Sequence, residues 1–157
     1  YQELLVGQST GLLIAESQKG YPILAIYEPS IEEIRAHKLN ELSLYDSSDM
    51  VNQFCIDNTH GWWNKATRVG LMNSIAIERE SGRSETSIWL GDTQFVLPIE
   101  KAIDILCQLE LYALTCYNVT QGHINAIYQL ETKEEIKAYN FKTGYPRKLN
   151  FSGYPIV

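Results

Sequence analysis

The sequence predicts an α+β fold in which a small antiparallel sheet packs on two or three helices, one of them a long C-terminal helix, with an N-terminal β-hairpin. Three observations lead to this prediction. Short apolar runs between turn residues indicate strands, apolar residues three and four positions apart indicate amphipathic helices, and one apolar stripe continues for about thirty residues. We divide the chain into a hairpin segment over residues 1–28, an α+β domain over residues 29–141 and an irregular C-terminal tail over residues 142–157.

The N-terminal hairpin is predicted from two apolar runs, residues 12–15 and 23–27, on either side of a polar turn. Gly20 permits a positive φ in that turn, and Pro22 is tolerated in an edge strand because it donates no backbone hydrogen bond. The pattern therefore predicts two short antiparallel strands.

A first helix is predicted over residues 31–45. Ser30 and Glu33 form a capping box, in which the hydroxyl and the carboxylate satisfy amides that the first turn leaves free. Arg35 and Lys38 fall outside the apolar stripe, so we expect them on the surface.

The middle of the chain alternates strands with a second helix, which Gly82 is suited to end because glycine readily takes the left-handed conformation. The predicted elements are a strand over residues 53–57, a turn over residues 58–61, a helix over residues 64–81, and a hairpin of residues 86–90 and 94–97.

The third helix is the longest predicted element. It begins at Pro98 and continues to about Leu130, which at ~1.5 Å per residue is ~50 Å, longer than a compact domain of this size needs. Either Gly122 kinks or breaks the helix, or the far end projects and offers its apolar stripe to another chain; we favour projection. Thr132 and Glu135 then form a second capping box, which predicts a short helix to about Tyr139.

Projection would turn the apolar stripe of the third helix into a protein interface. The candidate interface residues are Ile99, Ile103, Leu106, Tyr117, Ile124 and Ile127.

Composition excludes several classes of function. A net charge of −6 over 157 residues, without a Lys/Arg cluster, argues against a nucleic-acid partner. No apolar run approaches the ~20 residues that cross a bilayer, so we expect no membrane association. Cys55, Cys107 and Cys116 are odd in number and widely spaced, and we interpret them as buried, reduced thiols in a cytoplasmic setting.

No catalytic constellation is evident. The only imidazole bases are His37, His60 and His123, and none has an evident nucleophile beside it. The GxSxG match at residues 7–11 is followed by a hairpin pattern rather than a helix, so we treat it as chance. His60 with Asp57 makes an incomplete metal shell, and glycine-rich phosphate loops are missing. We expect no catalytic residue, no metal and no cofactor.

Trp62 and Trp63 are the most suggestive local pair. Adjacent indoles in a turn can stack on sugar rings or anchor a protein interface, which makes both candidate ligand-binding residues. The interpretation we favour is structural: one indole fills the core and the other covers it.

Several short motifs occur in an order that resembles a known family. They are residues 45–48, residues 51–54, Trp62, residues 66–68, Trp89, residues 109–113, Cys116, His123, residues 132–135 and residues 144–146. The chain resembles a phage and prophage domain of unknown function found in the C-terminal part of tail-fibre and tail-associated proteins. The resemblance covers roughly residues 29–151, and residues 14–24 look like the hairpin that precedes this domain in tail-fibre assembly proteins.

This resemblance implies a non-enzymatic bacteriophage or prophage protein, either a structural tail component or a tail-fibre assembly factor. It would act through protein contacts with other tail proteins or with itself as a homo-oligomer. It would work in the host cytoplasm during virion assembly and, if it is retained, in the virion tail. The resemblance assigns no catalytic or ligand-binding residue. The alternative is a carbohydrate-binding module that uses Trp62 and Trp63.

Overall fold

A computed structural model describes residues 12–16 and 22–153, and its fold is α+β as predicted. The GxSxG match at residues 7–11 and the turn of the N-terminal hairpin lie outside the described residues. The elements are β1 (Leu12–Glu16), β2 (Pro22–Ile26), α1 (Ile31–Asp46), β3 (Phe54–Ile56), β4 (Thr59–Gly61), α2 (Lys65–Glu80), β5 (Glu85–Leu90), β6 (Thr93–Pro98), α3 (Ile99–Gln129), α4 (Lys133–Ala138) and β7 (Asn150–Phe151).

The strands of the described residues form the predicted N-terminal hairpin and, in place of one small sheet, two. β1 pairs with β2 and β5 pairs with β6, both antiparallel, while β3 lies between antiparallel β4 and parallel β7. The expectation of an irregular tail is therefore wrong at Asn150–Phe151. A two-residue strand carries no periodic signal, and it forms because Cys55 and Asp57 donate backbone N–H groups to the carbonyls of Leu149 and Phe151.

The turn between β3 and β4 lies earlier than predicted. Asp57 and Asn58 have φ values of 45° and 68°. Two consecutive positive φ values are typical of a two-residue hairpin turn that Asn and Asp tolerate, and residues 59–61 are consequently strand rather than turn.

Each of three helices begins directly after a residue whose side chain caps its first turn. Ser30 with Glu33 and Thr132 with Glu135 form the two predicted capping boxes, and the Asn64 side chain caps α2 by accepting from the Thr67 amide. After α2, Gly82 has a φ of 86°, as its predicted role requires.

The far end of α3 does not project. The helix runs through Gly122 without a break, and Ile127 is fully buried against Leu42 and Phe141. Arg35 is buried too, and its Nη1 donates to the carbonyls of Ile127 at 2.5 Å and Leu130 at 3.1 Å. The expectation of projection is wrong because α1 and the segment after α4 cover this end.

Lys38 is the second basic residue that the sequence wrongly assigns to the open surface. Its side chain is mostly buried, and Nζ donates to the carbonyls of Lys137 and Tyr139 near the end of α4. Together with Arg35, it fastens α1 to the C-terminal end of the α3–α4 unit.

The main core lies between the β5–β6 hairpin, β3 and the first half of α3. Its fully buried members include Ile56, Phe95, Ile105 and Leu109. Among the described residues, no helix has the length and apolarity needed to cross a membrane.

Candidate protein-interaction groove

The inner face of α3 supplies the core of this chain. Its buried residues are Ile99, Ala102, Ile105, Leu106, Leu109, Tyr112, Cys116, Thr120 and Ile127. Of the six residues predicted to contact another chain, Ile99, Leu106 and Ile127 are therefore buried internally, and Ile103 and Ile124 are partly buried. The expectation of a contact with another chain is therefore wrong for Ile99, Leu106 and Ile127. Ile103 and Ile124 are only partly covered and Tyr117 is exposed, so for these three it stays a prediction.

The outer face of α3 is also apolar. Leu111, Leu114, Tyr117 and Tyr128 are 66%, 56%, 59% and 58% exposed. Spacings of three and four residues place such side chains along one side of a helix. We call these four residues the outer row of α3.

A groove between α2 and α3 begins at this row. Its volume is about 810 Å³, and its lining is mostly apolar. We call it the α2–α3 groove, and it is lined by Lys65, Arg68, Met72, Cys107, Glu110, Leu111, Ala113, Leu114 and Tyr117. A concave apolar surface with a few polar side chains is the usual form of a binding site.

Arg68 fixes the walls of the α2–α3 groove. The side chain is buried, with Nε 3.0 Å from the Glu110 carboxylate and Nη1 donating to the Trp63 carbonyl at 2.7 Å. Its guanidinium lies over the Trp62 ring, 5.3 Å from the centroid. One side chain therefore holds α2, α3 and the segment before α2 in a fixed arrangement.

Lys65 gives the α2–α3 groove its free charge. Arg68 and Glu110 pair with each other, whereas Lys65 is exposed and, within the described residues, has neither a hydrogen bond nor an ion pair. Lys65 also begins α2, whose first turn contains no acidic residue, so it lies at the positive end of the helix dipole. The unpaired charge of the groove is therefore positive, on a chain with a net charge of −6.

A second, smaller groove continues along α3 beyond Tyr117. It lies between α1 and α3, has a volume of about 310 Å³, and includes Leu39, Ile124 and Tyr128 in its lining. Beside it, Thr120 donates to the Asp46 carboxylate at 2.6 Å and lies 2.7 Å from the Tyr145 hydroxyl. Tyr117 lines both grooves and connects them into one surface along α3.

The three cysteines differ in accessibility. Cys55 and Cys116 are buried as expected, but Cys107 is exposed and lines the α2–α3 groove, which corrects the expectation of three buried thiols. Burial raises the pKa of the Cys116 thiol, and burial followed by the neighbouring Cys116 raises the pKa of Tyr112. Cys107 is thus the natural chemical reporter of the groove.

The two adjacent tryptophans have separate structural roles. Trp63 is 6% exposed, and its indole N–H donates to the Trp89 carbonyl at 2.9 Å, so it fills the core. Trp62 is half-buried against Phe54 and Tyr112 and lines a small polar cavity of about 270 Å³. Because the Arg68 guanidinium lies over one face of its ring, that face of Trp62 is not open to stack on a sugar.

The candidate bases do not converge. His37 pairs with Glu41 in the same helix, and His60 is exposed in β4. His123 Nε2 donates to the Thr143 carbonyl at 2.7 Å, so Nδ1 can accept from the Tyr139 hydroxyl, also at 2.7 Å. Across residues 12–16 and 22–153, no three His, Cys, Asp or Glu side chains are grouped so that they could hold a metal ion.

Comparisons of this chain with known protein families, with characterised proteins and with solved structures give no match. The α2–α3 groove is therefore assigned as the candidate site from its shape, exposure and charge alone.

Sequence reasoning missed the α2–α3 groove although a signal was present. Apolar residues in α3 occur at Leu109 and Tyr112 and also at Leu111 and Leu114, an arc wider than one buried face needs. An apolar arc of that width predicts a second contact surface, but it does not say which side the core covers.

Proposed function

We propose that this protein is a non-enzymatic phage or prophage tail-associated component, structural or assisting tail-fibre assembly, which acts through protein contacts at the α2–α3 groove. The exposed outer row of α3 beside that groove is the observation that carries the proposed contact. The tail context comes from the sequence resemblance over residues 29–151.

The outer row supports a protein contact on energetic grounds. Contiguous exposed apolar surface is uncommon on a domain that works alone, and it favours association. Leu111, Leu114 and Tyr117 are each more than half exposed and line one groove. Burial of apolar surface is worth ~25 cal/mol per Å², so a matching partner would gain affinity by covering them.

Rigid walls strengthen the proposal. The Arg68–Glu110 pair joins the start of α2 to α3, and Ile75 of α2 is buried in the same core as Leu106 of α3. A groove that is held open before binding loses little conformational freedom when a partner enters.

The motif residues of the resemblance have structural contacts that suit a scaffold. Arg68 joins α2 to α3 through Glu110, Tyr112 donates from its hydroxyl to the Val51 carbonyl at 2.6 Å, and Thr132 caps α4. These contacts join elements of the fold, as expected of a scaffold that presents a binding surface.

A carbohydrate-binding module is the rival function. Because Trp63 is buried, this function is supported only by Trp62 and by the small cavity that Trp62 lines together with Asn52 and Asn64. A glycan array probed with the full chain separates this function from the protein-contact proposal, which expects no glycan signal.

Co-purification tests the proposed function. The full chain is co-expressed with each tail and tail-fibre protein of the same phage or prophage, and we expect at least one to co-purify. Leu111→Glu should remove that protein, because a carboxylate would be buried in an apolar contact. Ile77→Glu is the matched control, since Ile77 is 62% exposed on α2 and does not line the groove.

Two results would overturn the proposal: no tail protein co-purifies, or Leu111→Glu and Ile77→Glu retain the partner equally. Light scattering after size exclusion, at several concentrations, separately reports self-association against the 17.9 kDa of one chain.

A further inference from the structure

We infer that the α2–α3 groove binds one amphipathic helix of another protein, and that an acidic side chain of this helix pairs with Lys65. The inference rests on the proposed use of the groove as a contact surface. It adds the kind of partner, which neither the groove volume nor the sequence resemblance specifies.

The shape of the groove favours a helix. Both walls are helices whose backbone groups are hydrogen-bonded internally, so the groove offers no free edge to an incoming β-strand. From Cys107 to Tyr117 the wall extends ten residues, or ~15 Å at 1.5 Å per residue. That length matches about three turns of a partner helix with apolar residues at i, i+3 or i+4, and i+7.

The charge of the groove favours an acidic partner. Lys65 is its one unpaired charge within the described residues, because Arg68 is held by Glu110. A carboxylate on the partner would gain from Lys65 and from the positive end of the α2 dipole. The whole chain has a net charge of −6, so acidic side chains of a partner would be favoured only beside an unpaired cation such as Lys65.

A second copy of this chain is the less favoured occupant. A second copy would add a further net charge of −6, so the two chains would repel each other. Its Glu110, the carboxylate beside its outer row, is already paired with Arg68 and is not free to bind Lys65 of the first copy.

The test selects binders without assuming any tail protein. The full chain is presented to a ribosome-displayed library of 20-residue helical peptides in which the residues flanking a fixed apolar face are randomised. Enriched peptides should carry Asp or Glu at a flanking position. Lys65→Glu should weaken their binding about tenfold at low salt, and because it sets a carboxylate against a carboxylate, added salt should reduce the difference from the unsubstituted protein.

Site-specific readouts accompany the selection. Leu111→Glu should weaken the enriched peptides by at least about 30-fold, and Ile77→Glu should leave their affinity unchanged. Bound peptide should slow alkylation of Cys107, the accessible thiol of the groove, while buried Cys55 and Cys116 stay unreactive. Circular dichroism confirms that each variant is folded.

The outcomes are distinct from those of the proposed function. Enriched peptides without acidic preference, peptides indifferent to Lys65→Glu, or self-association that masks Cys107 would overturn this inference. If acidic helices bind in the groove but no tail protein co-purifies, the partner class holds and the tail context fails. If a tail protein needs Leu111 to co-purify but no acidic helix is selected, the tail context holds and the inferred partner class fails.

Discussion

Leu109 and Leu111 lie two residues apart on α3, yet Leu109 is fully buried and Leu111 is 66% exposed. The same contrast continues along the helix, with Tyr112 and Cys116 on the inner face and Leu114 and Tyr117 on the outer one. Both faces are apolar, but only the inner one is covered by this chain. Apolar periodicity therefore locates contact surfaces along a helix but does not say which of them the fold itself buries.

The largest expected effect contrasts the two leucines directly. Leu109→Ala should lower the free energy of unfolding by about 2–5 kcal/mol, because it leaves a cavity in a closed core. Leu111→Ala should change it by less than ~0.5 kcal/mol, because water already reaches that side chain. Urea denaturation of both variants measures the difference, and equal losses would mean that the outer row also supports the fold.

The contrast between buried and exposed positions extends to arginine. Arg35→Ala should cost about 1–3 kcal/mol, because the carbonyls of Ile127 and Leu130 lose their donor at the end of α3. Arg79→Ala is the control, since its pair with Glu100 is solvent-exposed and worth at most ~1 kcal/mol. A smaller loss for Arg35→Ala than for Arg79→Ala in the same urea titrations would show that α1 does not secure the end of α3.

Alkaline pH should lower the free energy of unfolding through the buried groups at the inner face of α3. Burial raises the pKa of Cys116 above 9.0, and burial raises the pKa of Tyr112 and Tyr145 above 10.0. Between its unfolded and folded pKa, each group keeps its proton only in the folded state, so unfolding becomes easier as pH rises through that interval. The free energy of unfolding should therefore begin to fall above about pH 9.

Cys116→Ala sharpens the pH prediction by removing the group that titrates first. The decline should then begin nearer pH 10, where the tyrosines take over. Urea titrations at pH 7 to 11 measure both proteins, and an identical pH dependence would exclude a contribution from the Cys116 thiol.

The smallest expected effect concerns Gly122, which lies in α3 with open space around the position of a Cβ. Gly122→Ala should stabilise the protein by about 0.5–1 kcal/mol, because alanine favours the helix. Gly61→Ala should instead destabilise it, since the added Cβ would clash with Leu90. Thermal denaturation measures both, and destabilisation by Gly122→Ala would contradict the regular helix that α3 forms at this position.

Local chemistry made much of the fold predictable from sequence. Ser30, Asn64 and Thr132 cap their helices through short-range hydrogen bonds, and those starts were predicted to within a residue. β7 was missed because a two-residue strand depends on a distant partner. Arg35 was misplaced because its acceptors belong to residues 92 and 95 positions away.

The candidate site was less predictable than the fold. The sequence predicts α3 as a contact helix, which stays a prediction, but it places the contact on the inner stripe, where Ile99 and Ile127 are buried. The walls of the α2–α3 groove are joined by Arg68 and Glu110, 42 residues apart, and by the shared core of Ile75 and Leu106. No sequence pattern encodes that pairing directly, so the outer row emerges only from the packed structure.

The most direct test of the central claim, that the outer row of α3 binds another protein, is the alkylation rate of Cys107. It is measured on the full chain alone and mixed with the tail and tail-fibre proteins of the same phage or prophage, with buried Cys55 and Cys116 as internal references. The account predicts that one of those proteins binds and slows the reaction of Cys107 severalfold. A tail protein that binds while Cys107 reacts at its free rate would contradict it.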